Sequence, residues 1–389
     1  MANTTRRRPA SSKAERERTE KAAKHEPATT PGPSPLRRVI KAVYFVLLAG
    51  AVYYYFTRMM WEPPEPPVIE VPEEEAYHVP VKVMKLPGKG MGVVAARNIS
   101  QGELVLRERP LFVVPHKVTM SPGALLLSSL ATLSPAQRAS FYNLSYVNFP
   151  VGVQEGTPRY QEELALAIFQ TNAVSAGSQG VGIFPRMARL NHGCSSAFNV
   201  VYTWRDDESV LVVHALKPVR EGEELLTTYT NTKRPRHVRK EFLREHYGFD
   251  CQCAVCSLPE DLSALSDERL TAMTDLYARF SSWQHEAVSG KDAIAAAISI
   301  WRLGEEEGYW SERGQLAADA THVAAAHADV SAVQGWARLS QRWFAYELGG
   351  DSVQAREMGR IAAQPQVHGA WGSRRHEAVG GPEPWMSAS

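Results

Sequence analysis

The stretches 182–199, GIFPRMARLNHGCSSAFN, and 221–256, EGEELLTTYTNTKRPRHVRKEFLREHYGFDCQCAVC, decide how this 389-residue chain is read. They hold all four of its cysteines: Cys194 alone, then Cys251, Cys253 and Cys256 in a C-x-C-x-x-C run. Three thiolates so close together can converge on one metal ion, and a fourth from a distant loop completes the tetrahedral shell that structural zinc favours. Free buried thiols or disulfides are the plainer alternative. However, C-x-C is too tight for an easy bridge, and four cysteines in a chain of this length make no disulfide framework. One structural zinc on Cys194, Cys251, Cys253 and Cys256 is therefore expected. Closing it would pin the segment after Cys251 onto the 191–194 loop and hold Tyr247 and Phe249 beside Asn191, His192 and Tyr229.

The same residues carry a family resemblance. Asn191-His192-Gly193-Cys194 resembles the NHxC motif of the SET-domain protein lysine methyltransferases, Gly222-Glu223-Glu224-Leu225 through Tyr229 resembles their GEEL…Y motif, and Cys251 to Cys256 their post-SET cysteines. The likeness spans about Val81 to Cys256 and is to the SET and MYND (SMYD-like) branch and its fungal relatives. It implies an α+β fold: a SET domain of short β-strands and small sheets with a helical insert, a zinc-closed post-SET segment and an all-α, tetratricopeptide-like C-terminal region. The MYND module of that branch needs cysteines this chain does not have.

The resemblance also implies S-adenosylmethionine as cofactor and a protein substrate bearing a target lysine, such as a histone. It makes Tyr229 the hydroxyl at the reacting centre and Tyr247 the wall of the substrate channel. It makes Lys89, Gly90, Met91, Gly92, Asn172, Asn191, His192 and Phe249 cofactor contacts. Plainer readings stand beside these: Lys89 as a solvated turn charge, Asn172 as a helix-ending asparagine, Tyr229 as a strand tyrosine capping a core. After Cys194 the chain departs from the family, with Ser195-Ser196-Ala197-Phe198-Asn199 where relatives have one residue and then Pro-Asn, so no role carries over to Asn199.

Composition is that of an ordinary globular protein, with 44% hydrophobic and 22% charged residues. The net charge of +1 is uneven: residues 1–41 carry +7 and the remainder −6. The folded part thus lacks a basic footprint, and no direct nucleic-acid binding is expected. Residues 1–38, with Arg6-Arg7-Arg8 and a Pro-rich run, read as a disordered basic tail. Residues 39–61, built on the uncharged AVYFVLLAGAVYYYF, are long and apolar enough to predict one transmembrane helix, with membrane lipid as partner. Residues 62–80, EPPEPPVIEVPEEEAYHVP, read as a stiff Pro/Glu-rich linker. The expected localisation is a single-pass membrane protein, with an endomembrane or the nuclear envelope favoured over the mitochondrion. The catalytic domain would face away from the basic tail.

Residues 81–256 form the expected SET domain and post-SET segment. Short strands around glycine turns run from Val81 to Pro115, and a helical insert spans 116–171, with Ser121-Pro122 and Ser134-Pro135 as N-caps. Asn199–Trp204 and Ser209–Ala215 read as two strands around the Arg205–Glu208 turn, Leu225–Tyr229 as a third, and Val238–Tyr247 as a basic helix. Residues 257–365 show apolar spacing for five helices, near 267–284, 291–301, 313–328, 331–348 and 352–362. Residues 366–389 read as a disordered tail. Two rival functions remain: a SET-derived interaction module without catalysis, and a methyltransferase acting on a small molecule.

Overall fold

The computed structural model describes residues 80–387. The expected basic tail, the apolar run at 39–61 and the linker up to residue 79 lie outside the described residues. Among the described residues no helix is long and apolar enough to cross a membrane. The expectation of a single-pass membrane protein with a lipid partner is corrected accordingly, because it rested wholly on that undescribed run.

The SET portion begins with an antiparallel hairpin, β1 (Val81–Leu86) and β2 (Gly90–Ala95), turned at Pro87–Lys89. Two three-stranded sheets follow. One orders β3 (Leu104–Glu108), β9 (Val210–Ala215) and β8 (Val200–Arg205) with β9 central; the other orders β4 (Val113–Val114), β6 (Val181–Gly182) and β5 (Val174–Ser175). All six residues of β9 are buried, which is why it reads VLVVHA with no polar alternation. Val93, Leu106, Phe184, Leu190 and Leu225 join it in one apolar cluster.

The expected third strand is only β10 (Leu226–Thr227), and its partner is not the β8–β9 hairpin. It runs parallel to β7 (Asn191–His192). The helical insert is α1 (Pro122–Ala131), α2 (Pro135–Tyr142) and α3 (Pro158–Asn172). Ser121 and Ser134 accept the backbone N–H of Ala124 and Gln137, as their Ser-Pro pairs predict.

Helix α4 (Arg236–Tyr247) leads to the cysteine run, and Gly248 at φ +69° ends it in the left-handed conformation a side chain disfavours. The helical region follows as α5 (Glu260–Ser281), α6 (Gly290–Glu307), α7 (Arg313–Ala326), α8 (Val330–Leu348) and α9 (Val353–Ala363), each packed on the next. Small alanines on α7 let the helices close around fully buried Trp301, Trp336 and Trp343. Helix α8 also lies on β8 and β9, and Arg205 makes a bidentate ion pair with Asp351 (both 2.7 Å).

The segment after Pro365, expected to be disordered, is instead laid along the helices. Backbone N–H groups of Gly372, Arg374 and Glu377 donate to the carbonyls of Ala325, Ala326 and His327 at 2.9–3.2 Å. Val379 and Met386 are buried in the helical core, and Trp336 donates to the Gly380 carbonyl. A few large apolar side chains, spaced by glycine and proline, anchor a segment whose average composition suggests none.

Candidate active site

The site is built where the chain passes itself. Leu226 stands opposite Asn191 and Thr227 opposite His192, and Gly193 donates its N–H to the Thr227 carbonyl (2.8 Å). Two residues per strand cannot hold a register alone; a side chain does it. Buried Asn199 accepts the Leu226 N–H (2.8 Å) and donates to the Glu224 carbonyl (3.0 Å). Nothing next to Asn199 in the sequence marks it for this task, since its partners Leu226 and Glu224 lie across the fold.

Tyr229 leaves this crossing with both polar groups engaged. Its hydroxyl donates to the Leu190 carbonyl (2.6 Å), and its backbone N–H donates to Nδ1 of His192 (3.0 Å). Nδ1 is thus the acceptor, so the ring proton sits on Nε2, which lies 3.1 Å from Sγ of Cys194. Burial lowers the His192 pKa to about 4, so the ring is neutral near pH 7. Burial, helped by Tyr247, Glu224 and Tyr202, drives the Tyr229 phenol well above its ordinary range. Tyr229 therefore remains a neutral phenol. Its ring is 4.8 Å from that of Tyr247, and His192 stands 5.4 Å from Tyr229 and 6.4 Å from Phe249. An open cavity of about 430 Å³ adjoins it, lined by Thr228, Tyr229, Thr230, Asn231, Arg234 and Phe242.

The glycine stretch reaches the crossing from the other side. Gly90, Met91 and Gly92 lie in β2 rather than in the turn. The Asn191 carboxamide donates to the Met91 carbonyl (3.2 Å) and to Glu224 (2.9 Å), and a Cβ on Gly92 would stand 2.9 Å from that carboxamide nitrogen. Gly92 is thus needed for the close approach. Glu224 takes Asn191 on one oxygen and Lys89 on the other. Its place in GEEL signalled importance, but its joining role was not legible without the fold. Asn172 is engaged elsewhere, donating to the carbonyls of Ser145 and Ile168 (both 2.7 Å).

Cys194, Cys251, Cys253 and Cys256 converge. Their sulfurs all lie within 4.8 Å of one another, all four side chains are buried, and no disulfide forms among them. The Cys194–Cys256 sulfur separation is 3.6 Å. Tetrahedral zinc with bonds of ~2.3 Å places sulfurs roughly 3.8 Å apart, so the donor set and its spacing fit. This cluster can hold a metal ion. Tyr229, Tyr247 and Phe249 pack around it.

A family profile described as SET domain matches residues 90–230. The chain carries a SET domain. Over 298 residues, 76% of this chain and 86% of the relative, the SET protein is 27% identical to histone-lysine N-methyltransferase set5 of Schizosaccharomyces pombe. It is 32% identical to the N-lysine methyltransferase SMYD2 of Homo sapiens over 137 residues, 33% of this chain and 31% of that one. The match thus spans under a third of the human relative. Among solved structures, one described as the SET domain of LSMT bound to lysine and AdoHcy aligns with TM-score 0.31 at 14% identity, over 75% of this chain and 88% of that one.

Proposed function

We propose that this SET-domain protein transfers a methyl group from S-adenosylmethionine to the side-chain amine of lysine in a protein substrate, a histone being the first candidate. The observation that carries the reading is Tyr229, which lines the cavity while hydrogen-bonded into the strand crossing that presents Asn191. The yeast relative's name supports the reaction and the substrate class.

The residues present fit the cofactor. Nothing lies within 4 Å of where a Gly90 Cβ would stand, and Met91 is 40% exposed, so the Gly90–Met91 end of β2 faces open space where a ligand can lie. Asn191 and Lys89 offer polar contacts, and His192 and Phe249 offer ring faces. When bound, S-adenosylmethionine supplies an electrophilic methyl group on a sulfonium. The chain's own work is alignment and desolvation. Because the Tyr229 proton is committed to the Leu190 carbonyl, the lone pairs of its oxygen remain to accept from the incoming amine. Docking of the lysine against Tyr229, Tyr247 and Phe242 would remove its amine from water, and this desolvation disfavours the ammonium, so the lysine reacts as the neutral nucleophile. The four cysteines would hold one structural zinc that keeps Tyr247 and Phe249 in place.

The test is a labelled-cofactor assay on a histone mixture and on a protein lysate, with cofactor binding measured in parallel. Tyr229→Phe is expected to lose about 100-fold or more in turnover while cofactor affinity holds within about threefold. Undiminished turnover removes Tyr229 from the mechanism. Cofactor binding without transfer favours the interaction-module reading, and label only in small molecules favours the other rival.

A further inference from the structure

Arg239 is fully buried, at 0% exposure, on α4. One of its nitrogens, Nη1, is used: it donates to the Arg234 carbonyl and lies 3.3 Å from Asp267. Asp267 is a divided partner, since its two oxygens also accept the Arg236 N–H (2.9 and 2.8 Å) at the start of α4. The other two, Nε and Nη2, have no nitrogen or oxygen partner, and Leu243, one turn further along α4, is buried among the four cysteines, of which Cys194 and Cys256 act on the guanidinium. A buried cation with two unmet donors is costly unless something negative completes its surroundings.

Four thiolates around a divalent ion carry a formal charge of −2, and such centres are tuned by N–H groups directed at their sulfurs. His192 already presents Nε2 to Cys194 at 3.1 Å. We infer that Arg239 is the charge-compensating partner of the cysteine centre and so sets how tightly the metal is kept. The inference rests on the reading of the cluster as a metal centre. The plainer account makes Arg239 only an internal strut for the turn before α4, joining Arg234 to Asp267.

Zinc affinity of the full chain, measured by competition with a chromophoric chelator and by cobalt substitution, separates the two. In Arg239→Met the aliphatic stem is kept and the charge removed, and zinc affinity is expected to fall about 10–100-fold. Arg239→Gln, which keeps an N–H for the Arg234 carbonyl, serves the same purpose should the methionine variant not fold. Asp267→Asn is the structural control: a lower thermal midpoint with zinc affinity within about threefold of the parent. Parent-like affinity in the folded neutral variant overturns the inference, as does an Asp267→Asn loss matching that of the Arg239 variants. A parent chain that binds no zinc or cobalt overturns the metal reading itself, which is a distinct result.

Discussion

The two ends of the described chain are held by different means. In the helical region, four buried tryptophans and a row of alanines fill one apolar core, and burying a large apolar side chain contributes ~1.5–3 kcal/mol. Around the strand crossing the sheets have two or three strands, several of only two residues, and position comes from point contacts: Asn199 to β10, Glu224 to Asn191 and Lys89, Tyr229 to Leu190, and four converging thiols. A core of many contacts tolerates the loss of one. A site made of single ties does not, and that is where substrate chemistry needs open space.

This contrast can be broken most severely at the cysteines. Cys251→Ser should abolish metal binding and cost roughly 5 kcal/mol or more, seen as loss of zinc by elemental analysis and a large fall in thermal midpoint. Retained zinc and an unchanged midpoint would refute the closure. Trp336→Ala attacks the other end and should cost about 3–5 kcal/mol in denaturant unfolding with zinc stoichiometry unchanged.

A pH series probes a third point. Burial pushes the Glu347 carboxyl up to about 8, and it accepts the N–H of Arg313 (2.9 Å) and Gly314 (3.2 Å). Its folded pKa lies above the unfolded one, so its contribution is complete below about pH 4.5 and is lost as pH rises through about 8. Glu347→Gln should therefore match the parent near pH 5 and gain on the order of 2–4 kcal/mol relative to it at pH 9, read from paired thermal melts. A difference independent of pH would reject this. The smallest effect is at Glu224. Glu224→Gln removes the charge that joins Lys89 to Asn191 and should raise the KM for cofactor about fivefold with kcat unchanged. A fall in kcat alone would move Glu224 from positioning to chemistry.

Local signals in the chain were legible and long-range ones were not. Ser121 and Ser134 announce helix starts through contacts within a turn, and the five C-terminal helices follow from apolar spacing, although α5 begins at Glu260 and α6 reaches Glu307, beyond their expected limits. The motif residues Asn191, His192, Tyr229 and the four cysteines do come together. By contrast β7 and β10, each two residues long, carry no period to read, and their parallel pairing depends on Asn199, which is distant in sequence. The same holds for Arg239, a solvated-looking charge in a basic helix until its neighbours are seen. The membrane expectation rested on composition in a stretch outside the described residues.

The segment after Pro365 has a genetic consequence. A nonsense codon there would leave the strand crossing and the five helices encoded, and by sequence it would look harmless. It would in fact strip Val379 and Met386 from the helical core, deprive the Trp336 indole of its acceptor and uncover the faces around Ile294 and Gly335 that Gly380 and Pro382 cover. Such an allele should behave as a loss-of-abundance allele, its product removed by quality control, although every residue of the strand crossing would still be encoded.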